Sequence, residues 1–86
     1  MKLKEGFILR SVAGETVVVP TGDDLDLNMM ITLNDSGKLL WQCLEKGAEQ
    51  EDLEAALLAE YDVDPQTAKE HVALFIKKLN HHGFIK

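Results

Sequence analysis

The sequence is poor in several residue types: one cysteine, two prolines, one tryptophan, one tyrosine and three phenylalanines. A single thiol, Cys43, cannot close an intramolecular disulfide and cannot furnish a cysteine-rich zinc site. No apolar run approaches the ~18 residues of a membrane-crossing helix, and no charged-then-apolar leader opens the chain. It therefore reads as neither secreted nor membrane-spanning, and a cytoplasmic location is expected. Basic residues are also scarce, with nine Lys and Arg against fifteen Asp and Glu and a formal net charge of −6. Duplex DNA and anionic membranes both require local positive charge. The groupings on offer, Lys2, Lys4 and Arg10 and then Lys69, Lys77 and Lys78, read as ordinary solvated surface. The charge balance points to a protein or peptide partner, with neither nucleic acid nor membrane expected.

What is present is enough for one small domain over residues 1–86, since 45% of the residues are hydrophobic. The best-organised stretch is 25–36. Leu25, Leu27, Met29, Ile31 and Leu33 alternate with Asp26, Asn28, Met30 and Thr32. A period of two predicts a strand with one buried and one wet face, and Asn34-Asp35-Ser36 then supplies helix-capping side chains. Met30 breaks the pattern, as a large apolar side chain on the face that should be wet. Ahead of this stretch, Phe7–Val12 and Thr16–Val19 are rich in β-favouring residues and flank the Ala13-Gly14-Glu15 turn. The predicted strands are therefore about 7–12, 16–20 and 25–33.

After residue 34 the period becomes helical. Leu39, Leu40, Cys43 and Leu44 share one face of a helix over about 35–46, with Gly47 placed to end it. A second helix over about 50–61 opens on Glu51, Asp52 and Glu54, favourable at the positive end of its dipole. Asp64-Pro65 is a cap followed by a first-turn proline for a third helix over about 65–82, with Ala68, Val72, Phe75, Ile76 and Leu79 inward. Three strands in antiparallel meander order followed by three helices make an α+β domain of winged-helix type. In DNA-binding winged helices the helices usually precede the hairpin, so the order here departs from that class.

No chemistry-bearing constellation emerges. His81 and His82 are adjacent on a helix and point about 100° apart, a poor metal pair. His71 borders the apolar stripe, Cys43 reads as a small buried hydrophobe, and Asp23, Asp24 and Asp26 lack the other ligands of a calcium loop. No catalytic residue, metal or cofactor is expected. A free edge on the third strand beside the third helix does suit an extended peptide adding as a further strand. Val72, Ala73 and Ile76 are candidates for lining the groove, and Met30 for an adaptable contact. The same edge allows a homodimer.

One family shares this pattern. Leu33-Asn34 after a strand, Leu40-Trp41, Gly47 before an acidic helix start, Leu53, Leu57-Leu58 and Tyr61 carry the likeness, as do Val72, Phe75-Ile76, Leu79 and the closing Gly83-Phe84-Ile85. Over about residues 7–85 the chain resembles the PqqD family. The resemblance implies a non-catalytic peptide chaperone, or RiPP recognition element, that binds the leader of a ribosomally made precursor peptide. It would present that leader to a modifying enzyme, often a radical SAM protein. It also implies a site along Leu27, Asn28, Met29, Met30, Ile31, Thr32 and Leu33, facing Val72, Ala73, Ile76 and Leu79 or their neighbours. Members serving pyrroloquinoline quinone synthesis tend to carry Pro-Glu, Asp-Gly and Asp-Val where this chain has Pro20-Thr21, Lys46-Gly47 and His71-Val72. The departures favour another peptide pathway. The competing expectation is a winged-helix DNA-binding or regulatory protein.

Overall fold

The structure, a computed structural model, describes residues 2–21 and 30–85. Three strands, β1 (Phe7–Val12), β2 (Glu15–Pro20) and β3 (Ile31–Leu33), precede three helices, α1 (Asp35–Glu45), α2 (Gln50–Glu60) and α3 (Pro65–His82). The strands form one antiparallel sheet in the order β1-β2-β3. Of the stretch expected as the third strand, residues 25–29 lie outside the described residues. Met30 is extended into no ladder, and pairing begins at Ile31.

The hairpin turn sets the register. Val12 pairs with Glu15 across Ala13 and Gly14, whose φ angles of 53° and 82° are both positive. Two such residues make the mirror-image turn whose twist matches that of the flanking strands, and glycine takes the second position without a Cβ penalty. From there the pleat fixes the faces. Phe7, Leu9, Val18, Ile31 and Leu33 turn toward the helices, where Val18, Ile31 and Leu33 are buried. Ile8, Arg10, Val12 and Thr32 lie on the exposed face.

Each helix starts where a side chain can satisfy its first amides. The Asn34 carboxamide oxygen accepts from Gly37 N–H at 2.8 Å, and the Asp64 carboxylate accepts from Thr67 N–H at 2.6 Å. Asp52 Oδ2 accepts from Glu49 N–H at 2.9 Å. Leu40, Trp41 and Leu44 of α1, Leu53 and Leu57 of α2, and Ala68, Val72 and Leu79 of α3 meet the sheet in one core. At the end of α3, Gly83 adopts φ 76° and Phe84 N–H donates to Leu79 O at 2.9 Å. That left-handed cap turns the tail back onto the core. Phe84 is fully buried between the rings of Phe7 and Trp41, with centroids 4.6 and 5.6 Å away. Lys4 N–H donates to Phe84 O at 2.8 Å, and Leu3 bridges Ile85, so the two ends of the described chain are stitched side by side.

Candidate functional site

The site is built on the unpaired side of β3. In a two-residue hairpin the closing pair, Val12 and Glu15, exchanges both backbone hydrogen bonds, and bonded and non-bonded pairs then alternate. Following that alternation along β2 turns the backbone groups of Thr16 and Val18 toward β3, where they face Leu33 and Ile31. Pro20 occupies a position of the same parity, where β1 needs no N–H from it. Thr32, opposite Val17, consequently directs its N–H and C=O away from β2 to the open edge. Among the described residues no strand pairs there. Met30, just ahead of the strand, is 38% exposed.

Beyond that edge lies a cavity of about 780 Å³. Thr32 and Leu33 form one wall, with Glu15 and Thr16 behind them, and Asn34–Gly37 at the start of α1 close one end. The opposite wall is α3, through His71, Leu74, Phe75 and Lys78. These four recur at the i, i+3, i+4, i+7 spacing of one helical face. Leu74 is 65% exposed, the most open large apolar side chain among the described residues. Acidic Glu15 and Asp35 stand on the sheet side of the cavity, and His71 and Lys78 on the helix side. The start of α1 fits closely beneath β3 because residue 37 has no side chain. A Cβ there would meet Asn34 Oδ1 at 3.1 Å and Leu33 Cβ at 3.3 Å.

The expected site residues divide unevenly. Met30, Ile31, Thr32 and Leu33 stand at or beside the open edge, Ile31 and Leu33 with side chains buried and backbone in the ladder to β2. Leu27, Asn28 and Met29 lie outside the described residues. On α3 the cavity is lined by neighbours of the residues named, not by those residues themselves. Val72 and Leu79 are 0% exposed, so no groove is lined by them. Ala73 is exposed and Ile76 packs against the core, but neither lines the cavity. The wall is the face about 100° further round the helix, at 3.6 residues per turn. The reason is packing. Ala68, Val72 and Leu79 are taken up in the common core, which leaves the flank containing Leu74 to line the cavity. From the sequence, Phe75 is expected first of all in the core and His71 at the border of the apolar stripe. The available signal was Leu74, an apolar residue off the inward stripe of α3.

The Asp64 cap holds its carboxyl below the ordinary value of 3.8, through the hydrogen bonds from the backbone and then the side chain of Thr67. Among the described residues, no group of three or more histidine, cysteine, aspartate or glutamate side chains is placed to hold a metal ion. No helix of the described residues is long and apolar enough to cross a membrane.

Comparison with known proteins places this geometry. The family model described as coenzyme PQQ synthesis protein D (PqqD) matches residues 7–85. Among solved structures, TbiB1 in complex with the TbiA(beta) leader peptide is similar with a TM-score of 0.80 at 24% identity, covering 100% of this chain and 95% of that one. Lasso peptide synthetase B1 complexed with the leader peptide is similar with a TM-score of 0.75 at 23% identity, covering 96% and 93%. At these identities the likeness is one of fold. No curated protein matches the sequence.

Proposed function

The chain belongs to the PqqD family, and from that premise we propose that it is a non-catalytic adaptor that binds the leader of a ribosomally made precursor peptide. The leader adds as a further strand beside β3, and the domain presents it to a modifying enzyme, for which a radical SAM protein is the leading candidate. The observation that carries this reading is the open edge of β3: Thr32 turns its N–H and C=O toward a cavity walled on its far side by α3. Main-chain bonds to such an edge supply affinity, and alternate side chains entering the groove supply selectivity. The proposed contacts are the edge from Met30 to Leu33 and the α3 face of His71, Leu74, Phe75 and Lys78. Both similar structures were solved with a leader peptide, which supports the same reading.

The departures at Pro20-Thr21, Lys46-Gly47 and His71-Val72 favour a pathway other than that of coenzyme PQQ. A DNA-binding role is disfavoured by the net charge of −6, because phosphate contacts need clustered lysine and arginine. A homodimer paired through β3 would use the same edge, so it would compete with peptide. The test is a titration of the isotope-labelled domain with the precursor peptide encoded beside its gene, following amide shifts. Shifts should concentrate at Thr32, Leu33, His71, Leu74 and Phe75. Shifts confined to other faces would overturn the assignment.

A further inference from the structure

The second helix is apolar on two sides. Leu53 and Leu57 bury one side against α1 and α3. Glu51, Ala55, Leu58 and Ala59 recur at i, i+4, i+7 and i+8 on the other, and all four are exposed. Leu58 leaves 41% of its surface in water. The charge around this stripe is of one sign. Between Gly47 and Ala68 stand seven of the fifteen acidic residues and neither lysine nor arginine, so the remaining eight acids nearly balance the nine bases. Folding accounts for part of that acid. Asp52 and Asp64 accept from backbone amides at helix starts, and Glu51 sits at the favourable end of the α2 dipole. Glu60 and Asp62 stand at the opposite end, where negative charge costs stability, and no basic side chain among the described residues pairs with them.

We propose that this face of α2 is where the modifying enzyme docks, through an apolar ridge of its own flanked by lysine or arginine. The inference rests on the adaptor reading above, because an adaptor holds two partners at once and needs two separate surfaces. None of the four stripe residues lines the cavity beside β3, so a leader seated there leaves the stripe open. Charge decides the occupant. A second copy would set the same acidic stripe against itself, and like charges facing each other across an interface repel. Nucleic acid and anionic membrane are disfavoured on the same ground. A basic partner, by contrast, is steered toward this side of the domain. On contact, Ala55 and Ala59, about one turn apart, let a helix approach closely, since interaxial distance follows side-chain size. Leu58 then supplies the buried apolar contact, and the surrounding carboxylates fix the register.

The test titrates the purified modifying enzyme encoded beside the gene into the full chain, with the precursor peptide titrated in parallel. The enzyme should bind, with Kd rising as salt screens the charges. Leu58→Gln should weaken it about tenfold by removing the buried apolar contact. Glu51→Lys should weaken it severalfold at low salt and little at high salt. Both positions are exposed, the fluorescence of the buried Trp41 reports folding, and affinity for the precursor peptide should not change. Equal enzyme binding by all three forms overturns the α2 surface and leaves the adaptor reading standing. A peptide weakened by Leu58→Gln, or a dimer that Leu58→Gln disperses, also overturns it, by showing a different occupant. No binding of the enzyme, with the peptide bound at β3, overturns both the surface and the presenting role. Enzyme binding lost in the variants, with a peptide that leaves the Thr32 amide unperturbed, overturns strand addition and leaves the α2 surface standing.

Discussion

Replacing Thr32 by proline separates the edge of the sheet from its ladder. By the alternation set at the hairpin, the Thr32 N–H points away from β2 and pairs with no strand among the described residues, and its side chain lies on the exposed face. Proline is tolerated on edge strands when the missing N–H faces outward. The cost to folding should stay below about 1 kcal/mol, chiefly lost β-propensity, or a fall in melting temperature of under about 8 °C for a domain of this size. Leu33→Pro is the internal control. It removes the N–H that pairs with Thr16 and empties a buried side-chain position. Leaving a buried carbonyl unpaired costs about 1–3 kcal/mol, and deleting a buried leucine about 2–5 kcal/mol more. Against a total stability of about 5–15 kcal/mol, that variant should lose a large share of its stability. Binding runs in the opposite sense. Thr32→Pro loses a main-chain bond to the peptide, about 0.5–1.5 kcal/mol, and the ring obstructs the approach of the next residue. A ten- to hundredfold rise in Kd is expected. Denaturant unfolding followed by Trp41, and fluorescence anisotropy with a labelled peptide, measure the two effects separately. If Thr32→Pro destabilises as much as Leu33→Pro, the assignment of its N–H to the open edge is wrong. If it folds normally and binds as tightly as before, the edge is not the docking line.

The two faces of α3 should respond in opposite ways: Leu74→Ser should leave stability within about 0.5 kcal/mol and weaken peptide binding, whereas Leu79→Ala should cost about 2–5 kcal/mol and leave the affinity of the folded fraction unchanged. Chemical denaturation paired with peptide titration checks both. Gly37→Ala should be destabilising even though alanine is the better helix former by up to ~1 kcal/mol. The added Cβ meets Leu33 Cβ, pinned by the ladder, and Asn34 Oδ1, pinned by two hydrogen bonds, so thermal melting should shift down. The Asp64 cap gives an acid-dependent term. Its folded value lies below 3.8, so its contribution is present above 3.8 and is lost as pH falls through the lower folded value. The stability gap between the wild type and Asp64→Asn should therefore narrow below about pH 3.8 in urea melts across that range, and a gap constant with pH would refute it.

The order of elements was legible because each boundary carries its own chemistry. Asn34 and Asp64 mark helix starts as N-caps, Gly83 marks a left-handed stop, and Ala13-Gly14 closes the hairpin. Period alone distinguished Ile31-Thr32-Leu33 from Leu40-Trp41 and Leu44, and burial follows that distinction residue by residue. The helical face of Leu39, Leu40, Cys43 and Leu44 leaves Trp41 out, yet Trp41 is 1% exposed in the core. Its cover comes from the tail. Phe84 folds back and covers the indole, a contact between residues far apart in sequence that no local period encodes.

The same limit explains why the strand half of the site was readable and the helix half was not. A strand has two faces, so one buried residue settles where every other side chain and backbone group points. Once Ile31 and Leu33 are inward, Thr32 is outward, and the hairpin register adds that its N–H turns away from β2. A helix has no such binary choice. Ala68, Val72 and Leu79 fix only the centre of the buried arc of α3, and a flank on either side could meet the sheet edge. Leu74 breaks the tie because its position on α3 carries a cost without a partner. An apolar side chain left mostly in water forgoes the roughly 1.5–3 kcal/mol that its burial would contribute. A mostly exposed leucine placed opposite the strand edge singles out the side of α3 bearing His71, Leu74 and Lys78 as the one that would bury against peptide under the proposed function.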